Sequence, residues 1–378
     1  MPDDAASHRP LSPPRLAAER MVEHVGRPHP GGPASYAALD LGTNNCRLLI
    51  GAPAMDGFRV VDSFSRIVRL GEGLASTGRL SDAAMDRALA ALSACAEKLG
   101  RRPIRRLQAV ATEACRRAAN GTAFLARVEQ ETGLRPRIIS AREEAELAME
   151  SCAPLLEEGD RRALLFDIGG GSTEIAWIRV PPHQACAPER PAVELIGYVS
   201  LPLGVVTLAE RTGICCFTEA GFSAVVEEVT AHLLAFDRVH CIGQEIRAGG
   251  VRLVGTSGTV TTLAGVALAL PRYRRPLVDG RTLNADVADQ AMGDLFALGR
   301  AGLAAHPCVG PDRVEFVLPG CAIYAAIRRV WPVPTLTVAD RGLREGMLLR
   351  MIRADRQTAR SWGRGPRPDG YRRPLSGS

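Results

Sequence analysis

The chain has 378 residues, of which 46% are hydrophobic, and its mean hydropathy is zero. This length and composition predict a soluble globular protein that is long enough for two domains with cores of their own. No apolar run reaches the roughly 18–20 residues that a transmembrane helix needs, so no membrane association is expected. The ten cysteines contain no Cys-x-x-Cys pair, which favours reduced thiols and a cytoplasmic location.

The positive charge is concentrated near the end of the chain. The formal net charge is +6, but residues 353–378 alone hold seven arginines against Asp355 and Asp369. We therefore expect a nearly neutral folded body and a basic, disordered tail over 353–378. Nucleic-acid binding is not expected except through this tail. Residues 1–34 are rich in proline and lack a signal-peptide core, which predicts a disordered leader.

The first predicted domain spans residues 35–159. It opens with strands over 35–70, which include the hairpin AALDLGTNNCRLLI (37–50). Helices are then predicted over 81–100, with Ser81 as N-cap, and over 122–133 and 142–158. Strands are predicted over 105–114 and 135–140. This alternation of strands and helices indicates an α/β fold.

The second predicted domain spans residues 160–340. It opens with a similar hairpin, ALLFDIGGGSTEIAWI (163–178). A strand near 193–200, helices around 218–236 and 285–300, and a strand–turn–helix unit over 247–268 follow. A last strand and helix occupy 335–352, and we expect the helix near 341–352 to return to the first domain. The repeated strand–Asp–Gly–strand opening indicates an internal structural duplication.

Both hairpins have features of phosphate-binding loops. In each, an apolar strand ends in Asp and continues into a Gly turn, first at Asp40 and then at Asp167. Glycine lets a ligand approach the backbone, and successive N–H groups form an anion-binding nest. We therefore predict two loops facing each other across a cleft. Their candidate phosphate-binding residues are Gly42, Thr43, Asn44 and Asn45 in the first loop and Gly169, Gly170, Gly171, Ser172 and Thr173 in the second.

A third turn, GTSGTVT (255–261), joins a predicted strand to a predicted helix. The positive end of that helix dipole would point at whatever occupies the turn. The alternative is an ordinary tight turn capped by a hydroxyl. The candidate phosphate-binding residues here are Gly255, Thr256, Ser257, Gly258 and Thr259.

Acidic residues beside the two hairpins are candidate metal ligands. Mg²⁺ prefers one or two carboxylates together with water and substrate phosphate. Asp167 and Glu174 flank one loop, and Asp40 precedes the other. The alternatives are ordinary turn aspartates and, for Glu174, a solvent-facing strand residue. The chain contains neither a Gly-x-x-x-x-Gly-Lys-Ser/Thr loop nor a Gly-x-Gly-x-x-Gly turn leading into a helix, which excludes P-loop and Rossmann nucleotide sites.

Taken together, several segments resemble the exopolyphosphatase/guanosine pentaphosphatase family of the actin–Hsp70–sugar-kinase superfamily. They are ALDLGTNNCRLLI (38–50), RIVRLGEGL (66–74), AVATEACRRA (109–118), IISAREEAE (138–146), LLFDIGGGSTEI (164–175), SLPLGVVTLAE (200–210), GTSGTVTTLA (255–264) and DRGLREGML (340–348). The resemblance implies two actin-like (ribonuclease H-like) domains facing each other across a phosphate-binding cleft. Because the core ends near residue 352, the chain is similar to the short, two-domain form.

The resemblance also implies an activity and a set of site residues. The activity is hydrolysis of terminal phosphoanhydrides in polyphosphate or guanosine pentaphosphate with a divalent metal, and the second substrate would connect the protein to the stringent response. Glu144 matches the catalytic carboxylate better than Glu143 and would accept a proton from the attacking water. Arg47 and Arg116 match arginines that would clamp phosphoryl oxygens, and Arg69 is a weaker candidate of the same kind.

Two alternatives come from other functional classes. The first is a kinase or ATP-driven machine of the same superfamily. The second is a catalytically silent sensor of polyphosphate or of the guanosine nucleotide. The REEAE segment and its spacing to DIGGG favour the hydrolase over both. The sequence leaves the oligomeric state open, a homodimer included.

Overall fold

The computed structural model describes residues 35–55, 57–182 and 192–362. The predicted leader over 1–34 therefore lies outside the described residues. Two sheets organise the chain, one on each side of residue 160. The domain bounds predicted from the sequence stay predictions.

The first sheet has five strands in the spatial order β3-β2-β1-β4-β5. They are β1 (Ser35–Leu41), β2 (Asn45–Ala54), β3 (Gly57–Ile67), β4 (Ile104–Ala111) and β5 (Arg137–Ile138). Strand β1 pairs antiparallel with β2 and parallel with β4. Its residues are almost all buried, which is expected of a central strand covered on both faces.

Helices α1 to α5 accompany this sheet. They are α1 (Leu74–Thr77), α2 (Asp82–Gly100), α3 (Glu113–Arg117), α4 (Gly121–Thr132) and α5 (Ala141–Cys152). Helix α2 begins as predicted, because the Ser81 side chain accepts a hydrogen bond from the Ala84 N–H. Its buried face, with Leu89, Leu92 and Cys95, packs into the main core of this half.

The second sheet has six strands in the spatial order β10-β11-β9-β6-β7-β8. They are β6 (Arg162–Ile168), β7 (Thr173–Arg179), β8 (Glu194–Leu201), β9 (Val251–Thr256), β10 (Thr282–Asn284) and β11 (Thr335–Ala339). Strand β6 pairs antiparallel with β7 and parallel with β9. This repeats the pairing of β1 with β2 and β4, so the two halves share one strand arrangement at the equivalent place.

Helices α6 to α14 belong to the second half of the chain. They are α6 (Val205–Thr212), α7 (Glu219–His240), α8 (Ile242–Ala248), α9 (Gly258–Ala267), α10 (Arg275–Val278), α11 (Ala285–Ala297), α12 (Gly299–Ala305), α13 (Val314–Val330) and α14 (Leu343–Trp362). Helix α13 is central to the core of this half but is absent from the sequence prediction. It contains Pro319 and Gly320, both of which favour a break in a helix. Its burial on several sides overrides that preference.

Helix α14 packs against the first sheet. Leu343, Met347, Leu348 and Met351 join a core cluster of the first half, and the Tyr36 hydroxyl donates to Asp355 Oδ2 at 2.7 Å. The helix continues to Trp362. The predicted disordered tail is therefore wrong for residues 353–362, because Asp355 is tied to the sheet. Residues 363–378 lie outside the described residues.

None of the helices within the described parts of the chain is both long enough and apolar enough to cross a membrane.

The crossing of α14 over α5 depends on Gly346. A Cβ at this position would overlap the Leu147 carbonyl of α5. We expect Gly346→Ala to lower the free energy of unfolding by about 1–3 kcal/mol through overpacking. Chemical denaturation would measure the change.

Gly293 provides the matched control. It lies in α11, and nothing stands within 4 Å of an added Cβ. Gly293→Ala should therefore stabilise the protein by roughly 0.5–1 kcal/mol. Two variants that shift stability in the same direction would contradict the account of the crossing.

Candidate active site

The first Gly loop joins β1 to β2. The Gly42 N–H donates to the Asn45 carbonyl at 2.9 Å, which closes the turn. The segment after β3 supports the loop from behind: the N–H groups of Val68 and Arg69 donate to the Asn44 carbonyl at 2.8 and 3.0 Å. The local Asp-x-Gly sequence and a distant backbone segment together fix this loop.

The second Gly loop joins β6 to β7 and is held by the start of α6. The Val205 N–H donates to the Gly169 carbonyl at 2.9 Å, and the Val206 N–H donates to the Gly170 carbonyl at 2.8 Å. A Cβ at Gly204 would overlap the Gly170 backbone. Only glycine therefore fits at position 204, where the two segments touch.

The two Gly loops lie directly against each other. A Cβ at Gly170 would lie 3.2 Å from Thr43 Cβ and 3.3 Å from the Asn44 backbone nitrogen. A Cβ at Gly171 would lie 2.8 Å from Thr43 Oγ1. The glycines thus let two loops from different sheets meet at the floor of a cleft.

The third turn completes the wall of the cleft. Ser257 caps α9 by accepting a hydrogen bond from the Val260 N–H at 3.1 Å. The Thr256 hydroxyl donates to the Arg341 carbonyl at 2.6 Å and so joins this turn to the segment after β11. Helix α9 directs its N-terminus at the cleft, where its dipole favours an anion.

A cavity of about 850 Å³ lies between these three turns. Most of the predicted site residues line it: Asp40, Gly42, Thr43, Asn44, Asn45, Arg47, Glu144, Asp167, Gly169, Gly170, Gly171, Ser172, Thr256, Ser257, Gly258 and Thr259. Five predicted residues do not line it: Arg69, Arg116, Thr173, Glu174 and Gly255. The structure therefore brings together the loops but not every side chain assigned to them.

Two of these five are held in the core. The Thr173 hydroxyl is fully buried and donates to the Leu203 carbonyl at 2.7 Å. A Cβ at Gly255 would overlap the ring of Phe166, so this glycine serves the packing of β9 on β6. Their assignment to phosphate binding is not supported by the geometry.

The two arginines among the five also point elsewhere. Arg69 is exposed and has a positive φ of 47°, and its contribution to the first loop is its backbone N–H. Arg116 donates to Glu113 Oε2, to the Ile139 carbonyl at 2.8 Å and to Glu144 Oε2 at 3.3 Å. Arg116 thus stands behind Glu144, and the structure does not place it as a phosphate clamp.

Glu144 is presented by the first turn of α5. The helix is capped by Ser140, whose side chain accepts from the Glu143 N–H at 3.1 Å. The Glu144 side chain is only 15% exposed. Burial and the charge of Glu174 raise its pKa well above the usual range, and the charge of Arg116 opposes this. Glu143 does not line the cavity and pairs with Arg137 instead.

The aspartates near the ends of β1 and β6 are partly buried and occupy equivalent positions. In the strand register, Asp40 on β1 stands opposite Arg47 on β2, and Asp167 on β6 stands opposite Glu174 on β7. Burial and the charge of Glu174 raise the pKa of Asp167 to about 8. Burial also raises the pKa of Asp40, while Arg47 opposes the rise. Asp40 Oδ1 is buried without any hydrogen-bond partner in the described structure.

Asp40 and Asp167 fit a divalent cation whose remaining ligands are water and phosphate oxygens. Within residues 35–55, 57–182 and 192–362, no group of three or more His, Cys, Asp or Glu side chains is arranged to hold a metal ion. Mg²⁺ needs only one or two carboxylates besides water and phosphate oxygens. The unpartnered Asp40 oxygen and Asp167 supply such a pair. Glu174 is engaged differently, because its Oε1 accepts from Ser172 at 2.6 Å and from Ser200 at 2.9 Å.

Several cavity residues are absent from the sequence prediction, among them Arg313, Asp340, Arg341 and Arg344. For Asp340, Arg341 and Arg344, the sequence contains a local pattern that indicates their position. Strand β11 is followed by Asp340-Arg341-Gly342, which is a third strand–Asp–x–Gly pattern like those at Asp40 and Asp167. No comparable signal marks Arg313, which precedes the unexpected helix α13.

The sequence is similar to a family of phosphatases over most of its length. Residues 50–355 match the model of the Ppx/GppA phosphatase family. A guanosine-5'-triphosphate,3'-diphosphate pyrophosphatase of Aeromonas salmonicida is 30% identical over 318 residues, which cover 84% of this chain and 59% of that protein. The chain thus spans about 59% of the length of this curated relative.

Solved structures agree with the fold. A Ppx/GppA family member of Aquifex aeolicus is 25% identical, with a TM-score of 0.68 over 85% of this chain and 98% of its own. An exopolyphosphatase of Cytophaga hutchinsonii, at 22% identity, has a TM-score of 0.73 over 85% of this chain and 98% of its own, which shows likeness of fold. The predicted α/β fold of two actin-like domains is confirmed.

The buried Asp167 should reduce the stability of the folded protein. Its folded pKa of about 8 lies above the ordinary aspartate pKa of 3.8, so between these pH values the folded state holds a proton that the unfolded state has lost. Stability is therefore lost as pH rises from about 4 to about 8. We expect Asp167→Asn to raise the free energy of unfolding at pH 8, in the presence of a chelator, by on the order of 1–3 kcal/mol.

The same comparison at pH 4 is the control, because Asp167 is then protonated in the folded state of the wild type. The gain should shrink towards zero there. Thermal or chemical unfolding at both pH values would measure it, and a gain that does not depend on pH would contradict the assigned pKa.

Proposed function

The chain belongs to the Ppx/GppA phosphatase family, and we propose that it hydrolyses terminal phosphoanhydride bonds with Glu144 as the general base. The observation that carries this proposal is the position of Glu144. It is a buried carboxylate of raised pKa in the wall of a cavity floored by two Gly loops.

The proposed reaction is a direct attack by water on the terminal phosphorus. Glu144 accepts a proton from the water as the new P–O bond forms and the anhydride P–O bond breaks. The products are inorganic phosphate and a chain shorter by one phosphate. Arg116 holds the Glu144 carboxylate at 3.3 Å and is, in this proposal, a positioning residue.

The two Gly loops and Arg47 would hold the phosphates. Loops at the floor of the cleft and the N-terminus of α9 offer positive ends of backbone dipoles, and Arg47 offers a guanidinium that matches phosphate oxygens. Asp40 and Asp167 would hold a divalent cation, Mg²⁺ in the first instance, which when bound neutralises phosphate charge.

Inorganic polyphosphate is the proposed main substrate, and guanosine pentaphosphate is the alternative. The first is supported by the 28% identity to a solved structure described as an exopolyphosphatase-like protein. The second is supported by relatives named guanosine-5'-triphosphate,3'-diphosphate pyrophosphatase. A role in the stringent response would follow only from the second. The match to a phosphatase family supports a hydrolase over a kinase. The presence of Asp40, Glu144 and Asp167 at the cavity argues against a catalytically silent sensor.

The predicted cytoplasmic location and the homodimer belong to the proposal as well. Nine cysteines in the described structure are free thiols, in keeping with a reducing compartment. Size-exclusion chromatography with light scattering would settle the oligomeric state.

Phosphate release from polyphosphate, guanosine pentaphosphate and ATP in the presence of Mg²⁺ tests the function. The wild-type protein should release phosphate from at least one of the first two. Glu144→Gln should lower kcat by about 10²–10⁴-fold, because a general base is lost. In the wild type, kcat/KM should fall as pH drops through the raised pKa of Glu144, since only the ionised carboxylate accepts a proton.

Glu143→Gln is the matched control, one residue away and turned towards Arg137. Its turnover should stay within a few-fold of the wild type. Loss of activity in Glu143→Gln but not in Glu144→Gln would transfer the base assignment. A wild-type protein that is folded yet inactive on both substrates would contradict the proposed hydrolysis.

A further inference from the structure

Four arginines line the cavity: Arg47, Arg313, Arg341 and Arg344. The side chains of two of them, Arg313 and Arg341, form hydrogen bonds or ion pairs with other parts of the protein. Arg341 forms an ion pair with Asp279, with Nη2–Oδ2 at 2.5 Å and Nε–Oδ1 at 3.0 Å. Arg313 donates to the backbone carbonyls of Val309, at 3.1 Å, and Cys308. These two guanidinium groups hold the segments that surround the cavity.

The other two arginines are not engaged in this way. The side chains of Arg47 and Arg344 donate no hydrogen bond to any residue within 35–55, 57–182 and 192–362. The ion pair of Arg344 is with Glu345 Oε1 at 3.9 Å, which is too long for a hydrogen bond. That carboxylate is already used, because it accepts from the Gly342 N–H at 2.9 Å and from Arg275 at 3.1 Å.

Arg344 is nevertheless largely buried. Its side chain is 19% exposed. Burial lowers the pKa of its guanidinium, and the charge of Arg47 adds to this while Glu345 opposes it. A guanidinium stays charged in proteins, and a buried charge is costly unless it is paired. Arg344 therefore lacks a full counterion in the protein itself.

Arg47 and Arg344 line the same cavity from different parts of the fold. Arg47 is on β2 of the first sheet, directly opposite Asp40. Arg344 is in the first turn of α14, after β11 of the second sheet. Both charges act on the buried Asp40. An anion bound in this cavity could therefore interact with both guanidinium groups.

We propose that Arg344 is a second phosphate-binding residue, which together with Arg47 clamps the phosphoryl group that is transferred to water. The inference rests on the proposed function and names the residues that recognise its substrate. Each guanidinium presents N–H groups in a planar fork that matches two phosphate oxygens. Because the two arginines come from different halves, a bound phosphate would connect those halves across the cleft.

Arg344→Gln in the full chain tests the clamp, with Arg353→Gln as the control. Arg353 is on the same helix, with its side chain 51% exposed and outside the cavity. Binding of tripolyphosphate, measured by titration calorimetry, should weaken at least about tenfold in Arg344→Gln, and kcat/KM should fall about 10²–10³-fold. Arg353→Gln should leave both unchanged. Arg344→Lys keeps the charge without the fork and should restore only part of the loss.

Thermal stability separates a binding role from a structural one. Without ligand, Arg344→Gln should melt no lower than the wild type, since it removes a buried charge that lacks a full partner. The rise in Tm that tripolyphosphate gives the wild type should be reduced. Wild-type binding and kcat/KM in Arg344→Gln, or full activity in Arg344→Lys if the Gln variant does not fold, would overturn the proposal.

The two proposals fail differently. A wild-type protein that binds tripolyphosphate through Arg344 but releases no phosphate would contradict the hydrolysis and retain the clamp. A wild-type protein that hydrolyses its substrate while Arg344→Gln behaves normally would contradict the clamp alone.

Discussion

The burial of several carboxylates close to one another is the constraint on which the site depends. Burial and the charge of Glu174 raise the pKa values of both Glu144 and Asp167, and Asp40 adds to both. Such an arrangement is unfavourable for stability and is retained where chemistry requires it. A raised pKa makes the ionised form of Glu144 a stronger base than an exposed glutamate. The group of carboxylates at this cavity also provides a place for a cation.

The fold places the acidic residues and the Gly loops at the cavity by repeating one strand–Asp–Gly turn. Strands β1 and β6 each have a partly buried aspartate near their end, followed by a Gly turn, and Asp340 repeats the pattern directly after β11. The crossing of α14 over α5 at Gly346 then brings two helix starts to the same cavity. One carries Glu144 and the other carries Arg344. The packing of two helices thereby sets the relation between the proposed base and the proposed clamp.

The loops could be predicted from the sequence because their signals are local. An apolar strand, an aspartate and a glycine adjacent in the chain suffice to place Gly42 or Gly169 beside the cavity. The directions of Arg69 and Arg116 could not be predicted, since they depend on partners far away in the chain, such as Glu144 for Arg116.

The remaining differences also arise from tertiary contacts. Helix α13 forms despite Pro319 because it is buried on several sides, and the last helix extends past residue 352 because Asp355 binds Tyr36, Arg105 and Arg106. Arg344 is a different case, because a local signal, the Asp340-x-Gly342 turn after an apolar strand, precedes it in the sequence.

The most direct test of the central claim is hydrolysis in isotopically labelled water. Polyphosphate would be incubated with the protein and Mg²⁺, and the released phosphate analysed by mass spectrometry. Attack of water on the terminal phosphorus predicts one labelled oxygen in each released phosphate and none in the shortened chain. Label in the shortened chain, or transfer of the phosphate to another acceptor without label, would contradict the account.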